Sequence, residues 1–125
     1  MILGIGSDII HISRVARAIQ NPRFLARVYT AGERAYAKSR GKGMPASLAV
    51  RFAGKEAVLK AFGTGLRAAA LHDIEILPDA LGAPQVRLSG YLAGRAEEMA
   101  IDRVWITLSH ERDYATAYCI LEGQR

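Results

Sequence analysis

The 125-residue sequence predicts an α+β fold, an antiparallel sheet packed against one long core helix with short helices beside it. Three observations carry that expectation. After one short apolar run, the first half of the chain holds helix-period patterns punctuated by capping residues. The second half turns to alternating, β-branched and aromatic runs joined by short polar turns. Between them lies "VRFAGKEAVLKAFGTG", residues 50–65, a long helical pattern stopped by glycine.

"MILGIGSD" reads as a strand broken by Gly4 and Gly6, its backbone closely approached by another element, with Asp8 at its end. Ile12, Val15, Ala16 and Ile19 then recur at the spacing of one helix face, and Arg14 and Arg17 lie on the opposite side. Asn21-Pro22 is a cap followed by proline at the first helical position, opening a short helix to about Val28. Thr30 with Glu33 forms a capping box for a third helix, which runs to about Ser39. "RGKGMP" is a flexible basic loop, and the long helix after it ends near Phe62 with Gly63 as its stop. "DIEILP" and "QVRLSG" are strands around the turn "LGAP", and "YLAGRAEEMAID" is a short helix despite Gly94. "RVWITLSH" and "YATAYCILE" are the last two strands, joined by "ERD". The expected order is β-αααα-ββ-α-ββ. No repeat, low-complexity tract or linker divides it, so residues 1–125 are expected to form a single domain.

Half of the residues are apolar and 23% are charged, which excludes a disordered chain. The apolar runs are too short to cross a membrane, and Met1 leads into "ILGIGSD" without the pattern of a secretion signal. The single cysteine, Cys119, falls in a strand-like run and reads as a core residue in a reducing compartment. The expected location is the cytoplasm. Charge is divided unevenly: residues 1–67 hold 12 Lys/Arg against 3 Asp/Glu, and residues 68–125 hold 5 against 9. A basic half of that strength fits an acidic partner, whether nucleic acid, phosphorylated cofactor or acidic protein, or simply a solvated basic face.

The long helix carries the sharpest question. At 100° per residue, Leu48, Phe52, Leu59 and Phe62 share a core sector about 80° wide, and Lys55 falls inside it. Ala53, Ala57 and Ala61 line nearly the opposite side, where another backbone can pack. Glu56 and Lys60 project together at the edge of the Phe52 side. They read either as an i, i+4 surface pair or as part of a ligand site. Lys55 could carry its ammonium outward past Leu48. Asp8 reads either as a helix N-cap or, with Glu56, as a two-carboxylate site for Mg²⁺ that phosphate oxygens would complete, with Lys60 a point charge on the same phosphates. His110, ending a strand beside Ser109, is structural or a ligand contact. No Cys/His metal spacing, Walker loop or nucleophilic triad is present.

"GIGSDIIHISRV", "RFAGKEAVLKAFGTG", "GAPQV" and "ITLSHERDYATAY" together resemble the holo-[acyl-carrier-protein] synthases, the small bacterial class of 4′-phosphopantetheinyl transferases. The likeness runs in order through nearly the whole chain. Its most specific part is Gly6-Ser7-Asp8 with the FxxKExxxK helix motif over Phe52–Lys60. The resemblance implies the 4′-phosphopantetheinyl transferase fold and transfer of phosphopantetheine from coenzyme A to a serine of apo acyl carrier protein, in fatty acid biosynthesis. Asp8 and Glu56 match the Mg²⁺ ligands, and Lys60 matches the phosphate-contacting lysine. Lys55, Gly65 and His110 fall within motifs lining the coenzyme pocket, and Glu56 and Lys60 are the expected catalytic pair. The family's usual homotrimer, with active sites between subunits, would suit so short a chain and the alanine side of the helix. An acidic carrier protein would dock on Arg14, Arg17, Arg23 and Arg27. Arg40, Lys42 and Arg51 would serve the carrier or the coenzyme's 3′-phosphate. Two positions depart from the pattern: Glu111 stands where many relatives have a small hydroxyl residue, and Ala83 where they are often basic.

Three competing readings are weaker. A nucleic-acid module would interleave aromatic residues with the basic cluster, and this chain does not. A non-catalytic domain of the same fold would have lost Asp8 or Glu56. The two-lobed transferases of peptidyl or polyketide carriers are about twice this size by family resemblance. The expected partners are therefore coenzyme A and acyl carrier protein, without nucleic acid or membrane.

Overall fold

The computed structural model describes residues 1–63 and 71–124. Its order is β1 (Ile2–His11), α1 (Ile12–Ala18), α2 (Pro22–Val28), α3 (Ala31–Ser39), α4 (Met44–Phe62), β2 (Ile74–Pro78), β3 (Pro84–Leu88), α5 (Gly90–Glu98), β4 (Ile101–His110) and β5 (Tyr114–Gly123). Short 3-10 turns precede α4 and β2. The punctuation works locally as the sequence implies. Asn21 accepts a hydrogen bond from the Arg23 N–H, and Thr30 and Glu33 form both halves of the capping box. Gly63 ends α4 at φ 72°, a left-handed conformation that glycine adopts without a Cβ penalty.

The strands form two antiparallel sheets rather than one. β1, β5 and β4 make a three-stranded sheet in that order, and β2 and β3 make a hairpin that packs beside β4. α4 lies across the larger sheet, chiefly on β1 and β5. The inward residues there are Gly4, Gly6, Asp8 and Ile10 from β1 and Ala115, Ala117, Cys119 and Leu121 from β5. The outward residues of the same sheet remain exposed and largely apolar.

α4 is buried almost all round, which explains its mixed sequence. Ala53, Ala57, Val58, Leu59 and Phe62 pack with Ile74, Ile76 and Leu121 in one core cluster. Nearer its start, Leu48, Ala49 and Val50 pack with Val15, Val28 and Tyr29 of the N-terminal helices. A helix in that position has little purely solvated surface, so each charged residue on it needs a partner or an opening. Among the described residues no helix is long and apolar enough to cross a membrane.

Candidate active site

Small residues set α4 down on the sheet. A Cβ at Gly4 would stand 2.1 Å from the Ala61 carbonyl oxygen, and one at Gly6 would stand 2.1 Å from that of Ala57. No side chain fits there, so backbone meets backbone. The alanine side of α4 is thus occupied by the chain's own β1, which corrects its assignment to a neighbouring subunit.

That close contact delivers Asp8 to the flank of α4. Asp8 pairs with Ala117 inside β1, three residues short of its end, because the in–out alternation continues through Ile9, Ile10 and His11. It is therefore neither at the strand end nor an N-cap. α1 starts from His11 without any side-chain cap. Since β1 is an edge strand of its sheet, an inward carboxylate there still reaches solvent, and the Asp8 side chain is 18% exposed.

Lys60 and Glu56 do not pair with each other along the helix. The Lys60 ammonium donates across to Asp8 Oδ1 at 3.1 Å and to the Ser7 carbonyl at 3.0 Å. Among the described residues Glu56 takes part in no ion pair. Burial pushes its carboxyl above the ordinary glutamate range, the charge of Asp8 pushes it further, and Lys60 draws it back. Two mutually repelling carboxylates stand beside an ammonium that is 56% exposed. A cleft of about 550 Å³ opens at Lys60, between Gly6, Ser7, Tyr118 and Ile120, and is lined by neither Asp8 nor Glu56. A second, of about 490 Å³ between β3 and β4, holds Pro84 and Arg103 and none of the three charged residues.

The donor set fits Mg²⁺. Both protein donors are carboxylate oxygens, and a cation would relieve the repulsion that raises Glu56. Among the described residues no cluster of three or more His, Cys, Asp or Glu side chains exists that could enclose a metal. Mg²⁺ is the ion commonly held by one or two carboxylates, with waters and phosphate oxygens completing its shell.

The structure separates two expected pocket residues from this group. Lys55 is fully buried and does not reach outward past Leu48. Its ammonium meets Glu33 Oε1 at 2.7 Å and donates to the carbonyls of Leu71, at 3.1 Å, and Ile74. Those three partners use all three donors of an ammonium. Arg51 is 5% exposed, and its Nε donates to the Ile76 carbonyl at 2.8 Å. Its Nη1 donates to Ser47, and its guanidinium covers the Tyr36 ring. Both residues hold α4 to its neighbours, which corrects their assignment to a coenzyme or carrier surface.

Glu33 is the residue that the sequence reading missed. Its capping-box role accounted for it too readily. Residues 1–67 contain only Asp8, Glu33 and Glu56 as acids, so a lysine in the core sector of α4 already had few candidate partners.

His110 is exposed at the end of β4, on the inward face, opposite Ala115, which in turn faces Ile10. Two strand spacings and one side-chain step separate it from Asp8, roughly 12 Å between backbones. Its one described hydrogen bond is a long contact of its ring to the Glu111 carbonyl. Gly65 lies outside the described residues. Arg14, Arg17, Arg23 and Arg27 are all exposed on α1 and α2.

Comparison with known proteins gives a consistent picture. The family model described as the 4′-phosphopantetheinyl transferase superfamily matches residues 4–119. A holo-[acyl-carrier-protein] synthase of Ruminiclostridium cellulolyticum is 46% identical over 120 residues, covering 94% of this chain and 90% of that protein. Among solved structures, holo-[acyl-carrier-protein] synthase from Neisseria meningitidis superposes with a TM-score of 0.89 at 38% identity, covering 98% of this chain and 99% of that one. A holo-(acyl-carrier-protein) synthase from Bacillus anthracis, solved in complex with CoA (3′,5′-ADP), gives a TM-score of 0.83 at 34% identity, covering 99% of each chain.

Proposed function

From the premise that the chain belongs to the 4′-phosphopantetheinyl transferase superfamily, we propose that it moves 4′-phosphopantetheine from coenzyme A to a serine of apo acyl carrier protein. The chain is a transferase of the holo-[acyl-carrier-protein] synthase kind. The observation that carries the finer reading is the convergence of Asp8, Glu56 and Lys60 where the flank of α4 meets β1.

In this reading Asp8 and Glu56 would hold Mg²⁺, which would supply neutralisation of charge on phosphate oxygens. The serine Oγ forms a bond to the phosphorus that bears pantetheine, and the pyrophosphate P–O bond breaks to release adenosine 3′,5′-bisphosphate. Transfer of this kind depends on positioning and charge neutralisation. Lys60 contributes to both. Being more than half exposed, it can turn from Asp8 to the phosphate oxygens at little energetic cost. Glu56, beside the reacting group in this reading, accepts the serine proton through a water. The fatty-acid carrier is the substrate favoured here, and the cytoplasm the site of reaction.

Arg14, Arg17, Arg23 and Arg27 would receive the acidic carrier, and Arg14 and Arg17 follow β1 directly, near Asp8. The outer face of the larger sheet supports a trimer. Ile5, Ile9, Tyr118 and Trp105 are between 48% and 68% exposed on that one face, a patch that monomers rarely leave bare.

The test is intact-mass spectrometry of apo acyl carrier protein incubated with this protein, coenzyme A and Mg²⁺. A gain of one phosphopantetheine, absent with EDTA and with Glu56→Gln, is expected. No gain on any of several apo carriers, from a folded preparation, would overturn the reading.

A further inference from the structure

Glu33 holds three elements at one carboxylate. Its Oε1 accepts from the Thr30 N–H at 3.0 Å and from Lys55 Nζ at 2.7 Å, and its Oε2 accepts from the Ile76 N–H at 2.8 Å. These bonds tie the start of α3, the middle of α4 and the centre of β2 at a point with no solvent exposure. Through Lys55 the same junction reaches the Leu71 and Ile74 carbonyls. The neighbouring Thr30 hydroxyl donates to Glu75 at 2.6 Å and joins α3 to β2 again.

Lys55 is the residue before Glu56. Along a helix the two point about 100° apart, so fixing one fixes the heading of the other. The opposite contact of α4 is held less firmly, since its side-chain tether, from Lys60 to Asp8 and the Ser7 carbonyl, is more than half exposed at the ammonium. There alanines and glycines meet as backbone surfaces, which set separation closely but have no side chains to interlock against rotation or sliding. Charge-assisted hydrogen bonds in a dry site are short and directional.

We propose that Glu33 is a positioning residue for the reaction: acting through Lys55, it sets the rotation of α4 that presents Glu56 to Asp8. The inference rests on the metal-site reading above. A displacement of about 1 Å in a group remote from the chemistry is enough to reduce rate about 10²-fold. Glu33→Gln keeps the side chain's size but removes the charge that Lys55 faces, and it sets an amide N–H₂ against one of the two backbone donors.

The experiment measures Mn²⁺ binding by electron paramagnetic resonance in the presence of coenzyme A. Wild type, Glu33→Gln and Glu56→Gln are compared at a temperature where near-ultraviolet circular dichroism shows each folded, and kcat and KM are measured alongside. The expected result is Mn²⁺ affinity and kcat both lowered by about tenfold or more in Glu33→Gln, with KM for coenzyme A changed far less. If Glu33→Gln does not fold, the same readings are taken on Glu33→Gln/Lys55→Gln. That variant has no unpaired buried charge, and its glutamine at 55 is one atom too short to restore the tether. Mn²⁺ affinity and kcat within twofold of wild type in the folded variant would overturn the inference while leaving the metal site standing. Wild type that binds no Mn²⁺ removable by Glu56→Gln would instead overturn the metal reading, and this inference with it.

Discussion

Lys55 and Lys60 sit five residues apart on α4 and have opposite surroundings. Lys55 is sealed, its ammonium matched by one carboxylate and two carbonyls. Lys60 is open, sharing Asp8 with solvent, while among the described residues Glu56 has no ion pair of its own. The sealed group is complete within the chain. The open group is not, for Glu56, raised in energy by burial and by the charge of Asp8, gains from a cation that arrives. Where a buried charge is fully partnered it serves the fold. Where it stands near another of its own sign and keeps an opening to solvent, a ligand can supply the missing partner.

The sealed lysine should show the largest effect on stability. Lys55→Ala leaves Glu33 as an uncompensated buried charge and should cost about 3–5 kcal/mol of stability. Lys60→Ala, by contrast, removes an exposed pair and should cost under about 1 kcal/mol. Urea unfolding of both variants checks this, and equal losses would erase the distinction.

At the open end the effects move from stability to rate. Glu56→Gln should lower kcat about 10²–10³-fold, equivalent to about 2.7–4 kcal/mol of barrier. Steady-state transfer assays on folded variant supply the number. A smaller effect is expected at the surface. Charge reversal of Arg14 and Arg17 should raise KM for the carrier about tenfold, with kcat nearly unchanged and a weaker dependence of KM on salt.

The smallest effect is one of pH. With the folded carboxyl of Glu56 raised above its ordinary value of 4.5, folded protein holds more protons than unfolded protein as pH climbs through that window. Its contribution to stability therefore falls as pH rises from 4.5 through the folded value, in metal-free buffer. Denaturation of wild type and Glu56→Gln from about pH 4 to 8 should show a decline in the wild type that the variant lacks.

Much of the fold was legible because its punctuation is local. Asn21, the Thr30–Glu33 box and Gly63 act within a few residues of themselves, and the element order follows from them. What escaped was set by distant parts of the chain. β1 extends past Asp8 because β5 offers a partner as far as Tyr114. The strands divide into two sheets because β3 lies beside β4 without joining its ladder. At the site, helical geometry alone left Glu56 and Lys60 as each other's natural partners. Only the contact of Gly6 with Ala57 brings Asp8 close enough to take Lys60 away. Lys55 was misread for a related reason. The core sector was visible, but its counterion came from a residue already accounted for by a cap.

The most direct test of the division between sealed and open charges is thermal unfolding of wild type and Glu56→Gln, in EDTA and then with Mg²⁺ and coenzyme A. The variant is expected to be at least as stable as wild type in EDTA, and the ligands to raise the midpoint of wild type far more than that of the variant. A variant several degrees less stable in EDTA, or an equal rise in both proteins, would show instead that Glu56 serves the fold.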